Sequence, residues 1–137
     1  MKSQQEIIED FEIFEDWMEK YQYIIDLGKD LEPLTEDEKT EENKLQGCQS
    51  QVWIVHELIN EKLNFRAESD AAIVAGLVAL VLSIYSGKTP VQILETKPSF
   101  IEQIGLDKHL SSTRSNGLSS LLNKIKEVAH SVIANNG

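Results

Sequence analysis

The residue with the widest chemical repertoire in this chain is its only cysteine, Cys48. Gly47 precedes it, and polar Gln49, Ser50 and Gln51 follow before an apolar, β-branched run begins at Val52. That order places the thiol in a loop or at a strand edge, beside a flexible glycine. Free cysteine is also among the most buried residue types, so a packed and inert thiol is the competing reading. The polar neighbours argue against it, because core cysteines sit among apolar residues. From residue types alone both readings stay open.

The rest of the chain limits what an exposed Cys48 can do. A zinc or iron–sulfur site needs three or four thiolate or imidazole ligands, and one cysteine with scattered His56, His109 and His130 does not supply them. No metal site is expected. Dithiol redox chemistry needs a second cysteine. A cysteine hydrolase needs an imidazole base and an oxyanion element, and neither His56, on an expected strand, nor His130, on the outer flank of the last helix, stands near a glycine-rich one. What remains is the chemistry of a lone thiolate: attack on a sulfur electrophile to give a persulfide or a mixed disulfide. Such attack needs a local cation or hydrogen bonds to favour the thiolate. Lys44 is near in sequence, and Arg66 and Arg114 are candidates if the fold brings them close.

Two further side chains call for weighing. Asp70 stands where a helix N-cap is expected, a role worth about 1 kcal/mol; supporting the cysteine loop or bordering a docking surface are its other readings. Arg114 falls at a helix start, where the dipole slightly disfavours a cation. A solvated arginine is the simple account of it. Trp53 reads as a core anchor of the sheet, and the three histidines as structural or solvated.

The elements that must position these residues follow from the apolar pattern. Phe11, Phe14, Trp17, Met18, Tyr21, Ile24 and Ile25 recur at helical spacing, which predicts helix through the first third, with Gly28 as a left-handed stop. Residues 29–43 are acidic, polar and broken by Pro33, an exposed connector in which Thr35 and Glu38 match a capping box. Val52 to Ile59 and Lys62 to Glu68 read as strands, the second alternating cleanly, with Asn60-Glu61 at the hairpin turn. A short strand near Asn43–Gln46 would extend this to a small meander. Ser69 or Asp70 then caps a helix to about Tyr85, apolar nearly all round and therefore central and buried, closed by Gly87. Thr89-Pro90 starts another helix, Phe100, Ile101 and Ile104 mark a short one ending at Gly105, and a last helix opens near Ser111 to Thr113. The expected class is α+β, with helices packed on one face of a small antiparallel sheet.

Composition sets the outer limits. The 137 residues suit a single domain spanning 1–137. A formal net charge of −10 argues against nucleic acid or an anionic membrane as partner. The run from Ala71 to Leu82 is too short to span a bilayer, the first residues lack signal-peptide order, and one cysteine points to no oxidising compartment. A cytoplasmic location is expected.

Lys44-Leu45-Gln46-Gly47-Cys48-Gln49-Ser50-Gln51-Val52-Trp53 closely resembles the signature of the SufE family, sulfur acceptors for type II cysteine desulfurases. Trp17, Lys20-Tyr21, Tyr23-Ile24-Ile25, Leu27-Gly28 and Leu31 resemble the family's N-terminal helical pattern, and Ser69 to Val74 its central helix start. Ser112-Thr113-Arg114-Ser115-Asn116-Gly117-Leu118 is similar to its C-terminal helix start. The resemblance implies a SufE/IscU-like fold and a role in iron–sulfur cluster assembly. Cys48 would take a persulfide sulfur from a SufS-type desulfurase, raise its turnover, and pass the sulfur to a SufBCD-type scaffold complex. It also implies that Gly47, Gln49, Asp70 and Arg114 support the loop or meet the partner. No cofactor is expected on this chain, because the pyridoxal phosphate belongs to the desulfurase. A homodimer is one option for its oligomeric state. Two alternatives share the motif: an acceptor feeding another sulfur pathway, and a regulator of the desulfurase that carries no sulfur.

Overall fold

The computed structural model describes residues 4–47 and 50–136. Helices α1 (Gln4–Ile13) and α2 (Trp17–Gly28) lead through an acidic connector, with one 3₁₀ turn at Glu36–Glu38, to the hairpin β1 (Val52–Ile59) and β2 (Lys62–Ser69). The buried helix α3 (Ala72–Tyr85) follows, then short α4 (Pro90–Glu95), α5 (Phe100–Gln103) and α6 (Leu106–His109), and the long α7 (Ser112–Asn136). The α+β class is as expected.

Helix is continuous in the first third only up to Ile13. The chain bends at Phe14–Asp16, and the Asp16 carboxylate accepts the Glu19 N–H at 2.9 Å to start α2 anew. The bend breaks the apolar stripe: Phe11 and Ile24 are buried, whereas Met18 is left 83% exposed. Nor does Gly28 end α2 through left-handed backbone. The positive-φ glycines among the described residues are Gly47, Gly87 and Gly105. Gly28 is needed for proximity instead, since a Cβ there would lie 2.6 Å from the Gly76 backbone nitrogen on α3. A Cβ on Gly76 would lie 2.1 Å from the Ile24 carbonyl oxygen. The two helices therefore meet backbone to backbone.

The hairpin pairs Val52 with Ser69 through Ile59 with Lys62. Its turn residues, Asn60 and Glu61, both have positive φ, as a two-residue turn matching the strand twist requires. Val52, Ile54, Leu63, Phe65 and Ala67 are buried on the inner face, against α3. The expected strand at Asn43–Gln46 reduces to a bridge: Leu45 N–H donates to the Val52 carbonyl at 2.7 Å and Ile54 N–H to the Asn43 carbonyl at 2.9 Å.

On the outer face the acidic connector is fastened rather than simply exposed. Glu38 forms a two-pronged ion pair with Arg66, and its carboxylate also accepts the Thr35 N–H at 3.0 Å. Lys39 pairs with Glu68 at 2.7 Å, and Glu68 accepts the Leu34 N–H at 3.1 Å, which places Leu34 in a buried position. Trp53 stands on this outer face with the Lys39 ammonium 5.9 Å from its ring. It is therefore not a core anchor, because strand alternation points it away from buried Val52 and Ile54.

Replacing Gly76 by alanine should destabilise the protein by about 2–3 kcal/mol, although glycine to alanine inside a helix ordinarily helps by about 1 kcal/mol. A lower urea midpoint at unchanged slope is the expected result. The connector carries a separate pH dependence. Arg66 holds Glu38, and Lys39 holds Glu68, below their ordinary carboxylate values. A depressed carboxylate stabilises the fold above its unfolded pKa and loses that contribution as pH falls through the folded one. Hydrogen exchange at the Leu34 amide should therefore accelerate, relative to core amides, as pH drops below about 4.

Candidate functional site

Cys48 and Gln49 lie outside the described residues; their flanks do not. On the N-terminal flank Leu45 is buried, and Gly47 adopts φ +86°, a conformation that favours glycine. A Cβ at Gly47 would come within 2.8 Å of the Ser120 hydroxyl on α7, so this turn rests closely on that helix. On the C-terminal flank the Gln51 N–H donates to the Asp70 carboxylate at 3.0 Å, and the Asp70 N–H donates to the Gln51 carbonyl at 3.2 Å. The N-terminal flank thus lies against α7 and is tied to β1 by the Leu45–Val52 hydrogen bond, and the C-terminal flank is tied to the approach to α3.

This arrangement corrects one expectation for Asp70. The N-cap of α3 is Ala71, and the Asp70 carboxylate is turned to Gln51 rather than to the helix. Ser69 gives the start of α3 its side-chain acceptor, taking the Ala71 N–H at 3.3 Å.

Beside these flanks lies a cavity of about 390 Å³ whose lining includes Leu45, Ser50, Val74, Leu77, Arg114 and Leu118. It is formed by the N-terminal halves of α3 and α7 closing over the hairpin end. Arg114 is the only charged side chain among the described residues that line it. Its backbone N–H reaches the Ser111 hydroxyl at 3.3 Å, and it makes no ion pair among the described residues. The cation thus stands beside a mixed lining of apolar side chains and the Ser50 and Ser111 residues, at the start of α7. Arg66 does not share this site, because its guanidinium is held by Glu38 on the outer face.

The histidines are not brought together with the cysteine flanks. His109 stacks on Trp17 at 3.7 Å, and its carbonyl accepts the Tyr21 hydroxyl at 2.7 Å. His56 pairs across the hairpin with Phe65, and partial burial together with Lys124 lowers its pKa. Among the described residues no three His, Cys, Asp or Glu side chains converge as a metal site, and no helix is long and apolar enough to cross a membrane. The residues that sequence reasoning missed are Ser120 and Ser111. Ser111 carries a local signal, as a hydroxyl at the start of α7 that accepts the Arg114 N–H, whereas Ser120 matters only through what α7 is packed against.

The flanks of the sole cysteine thus border a cavity with one arginine in its lining. Comparison with known proteins then places the chain. The family model for SufE, described as an Fe–S metabolism associated domain, matches residues 5–129. An uncharacterized SufE-like protein of Rhizobium meliloti (strain 1021) is 46% identical over 134 residues, covering 94% of this chain and 96% of the relative. A second such protein, from Rhizobium etli, is also 46% identical, over 94% of this chain and 90% of its own. The fold is shared with the solution structure of a hypothetical protein from Thermus thermophilus, with TM-score 0.77 at 17% identity over 96% of both chains. The chain belongs to the SufE family. Membership places it in iron–sulfur metabolism, with sulfur transfer in association with a cysteine desulfurase.

Replacing Asp70 by alanine removes a charge-assisted hydrogen bond, worth about 1 kcal/mol at an exposed position. Exchange of the Gln51 amide should accelerate about fivefold, and alkylation of Cys48 should quicken, while the urea midpoint moves little. Unchanged Gln51 exchange would show that the clamp does not operate in solution.

Proposed function

We propose that Cys48 accepts sulfur from the persulfide of a pyridoxal-phosphate-dependent cysteine desulfurase, thereby raises its turnover, and hands the sulfur to the scaffold complex that builds iron–sulfur clusters. The observation that carries this reading is the position of the sole cysteine between two fixed flanks, beside a cavity whose one charged lining residue is Arg114.

The transfer balances without an outside oxidant or reductant. The Cys48 thiolate attacks the terminal sulfur of the desulfurase persulfide. An S–S bond forms on Cys48, the S–S bond on the desulfurase breaks, and its catalytic sulfur departs as thiolate. The proton on the transferred sulfur travels with it. Each discharge frees the desulfurase for another cycle, which accounts for stimulation.

This chain's residues contribute position and charge. The Leu45–Val52 and Gln51–Asp70 hydrogen bonds tie the two flanks of Cys48, so few residues lie between fixed points of the chain. Arg114 opposes the unfavourable field of a chain with net charge −10 and thus favours thiolate over thiol. A largely apolar space of about 390 Å³ next to the flanks of Cys48 supports a sulfur that is sheltered in the free protein and exposed on docking.

The test is intact mass under non-reducing conditions after incubation with a cysteine desulfurase and free cysteine. Added sulfur that is removed by reductant and absent in Cys48→Ser is expected. If Cys48→Ser still stimulates the desulfurase to the wild-type level, the protein is a regulator and not a carrier.

A further inference from the structure

A second concavity lies on the other side of α3. One cleft, of about 400 Å³, is lined among others by Leu27, Asp30, Leu31, Ala67 and Leu82. A neighbouring cleft includes Glu38, His56, Glu57 and Ile59. They share Glu32, Phe65, Arg66 and Ser86, and so form one trough running along β2 toward the hairpin tip.

The trough and the cysteine-side cavity occupy opposite faces of the same helix. Ile73, Val74, Leu77 and Val78 line the cavity, whereas Ala79, Leu82 and Ser83 line the trough. At about 100° per residue these two sets point roughly half a turn apart. A body in the trough would leave the flanks of Cys48 uncovered.

The two concavities also differ in charge. The cavity has Arg114 and no carboxylate in its lining. The trough has four carboxylates, Asp30, Glu32, Glu38 and Glu57, against one arginine. Arg66 is already committed to Glu38. Asp30, Glu32 and Glu57 make no ion pair among the described residues and are exposed. The floor between them is apolar, with Phe65 and Leu82 buried at its base and Leu31 half-buried at its side. Arg66 also lies within electrostatic reach of Glu32 and Glu57, so one cation faces four carboxylates. An apolar floor with this net acidic rim is complementary to a segment that carries apolar anchors beside Lys or Arg.

We infer that this trough docks a cationic, apolar-anchored segment of a protein partner, on the side of the molecule away from Cys48. Apolar side chains of that segment sit against Phe65, Leu31 and Leu82, and its cation is received by Asp30, Glu32 and Glu57. The site does not depend on sulfur chemistry, so its occupant and a desulfurase drawing on Cys48 can be bound together.

The probe is a synthetic peptide alternating leucine and lysine, titrated into isotope-labelled Cys48→Ser protein and followed by NMR amide shifts. A control peptide has each leucine replaced by serine at equal charge. Shifts centred on Leu31, Phe65, Leu82 and Ser86 are expected, with at least tenfold weaker binding for the Glu32→Lys, Glu57→Lys double variant and for the serine peptide. Equal binding of the serine peptide, or shifts spread over the surface or centred on Arg114, would overturn the inference. So would trough shifts that grow with protein concentration in the absence of peptide, which would assign the face to a second copy of this chain. Because Cys48 is absent throughout, failure here is distinct from failure of the sulfur-acceptor reading.

Discussion

The close contact of α2 with α3 is the constraint on which the rest of the structure depends. Gly28 and Gly76 leave out their side chains so that two backbones can touch, and this sets how far α3 sinks between the N-terminal helices and the hairpin. Leu80, Val81 and Tyr85 on α3 are then fully buried. Tyr85 brings its hydroxyl with it, donating to the Thr96 carbonyl at 3.1 Å, and burial raises its pKa. With α3 fixed as a central rod, its two ends and two faces become the reference for everything around it.

The cysteine segment is held with reference to that rod. Asp70, just before α3, grips Gln51, and Gly47 lies close against Ser120 of α7. The flanks are tied at both ends, through Leu45 to Val52 and through Gln51 to Asp70. The division of labour is physical: the helix pair supplies rigidity, and hydrogen bonds at Leu45 and Gln51 tie the flanks of the segment to β1 and to the approach to α3.

Polar contacts also decide what covers the sheet. An antiparallel hairpin with one apolar face leaves its other face to water or to a cover. Here the cover is the acidic connector, attached through Glu38–Arg66 and Lys39–Glu68 with Trp53 beneath. These are surface ion pairs that together form a network, and their worth depends on ionisation. The same connector borders the acidic trough, so the charges that hold it also shape that face.

Local signals along the chain determined much of this protein. Alternation in Leu63, Phe65 and Ala67 settled β2, Asn60-Glu61 settled the turn, Thr89-Pro90 and Gly105 settled helix ends, and the residues around Cys48 were enough to suggest the family. Each is a short-range rule in which the residue and its effect are neighbours in sequence. Tertiary structure alone decided why Gly28 is glycine, where Asp70 points, which face Trp53 takes, and that Ser120 meets Gly47. Those outcomes depend on pairs separated by tens of residues, whose energies exist only after the helices have packed. A glycine that permits a turn and one that permits a helix contact read alike in sequence, and only the fold tells them apart.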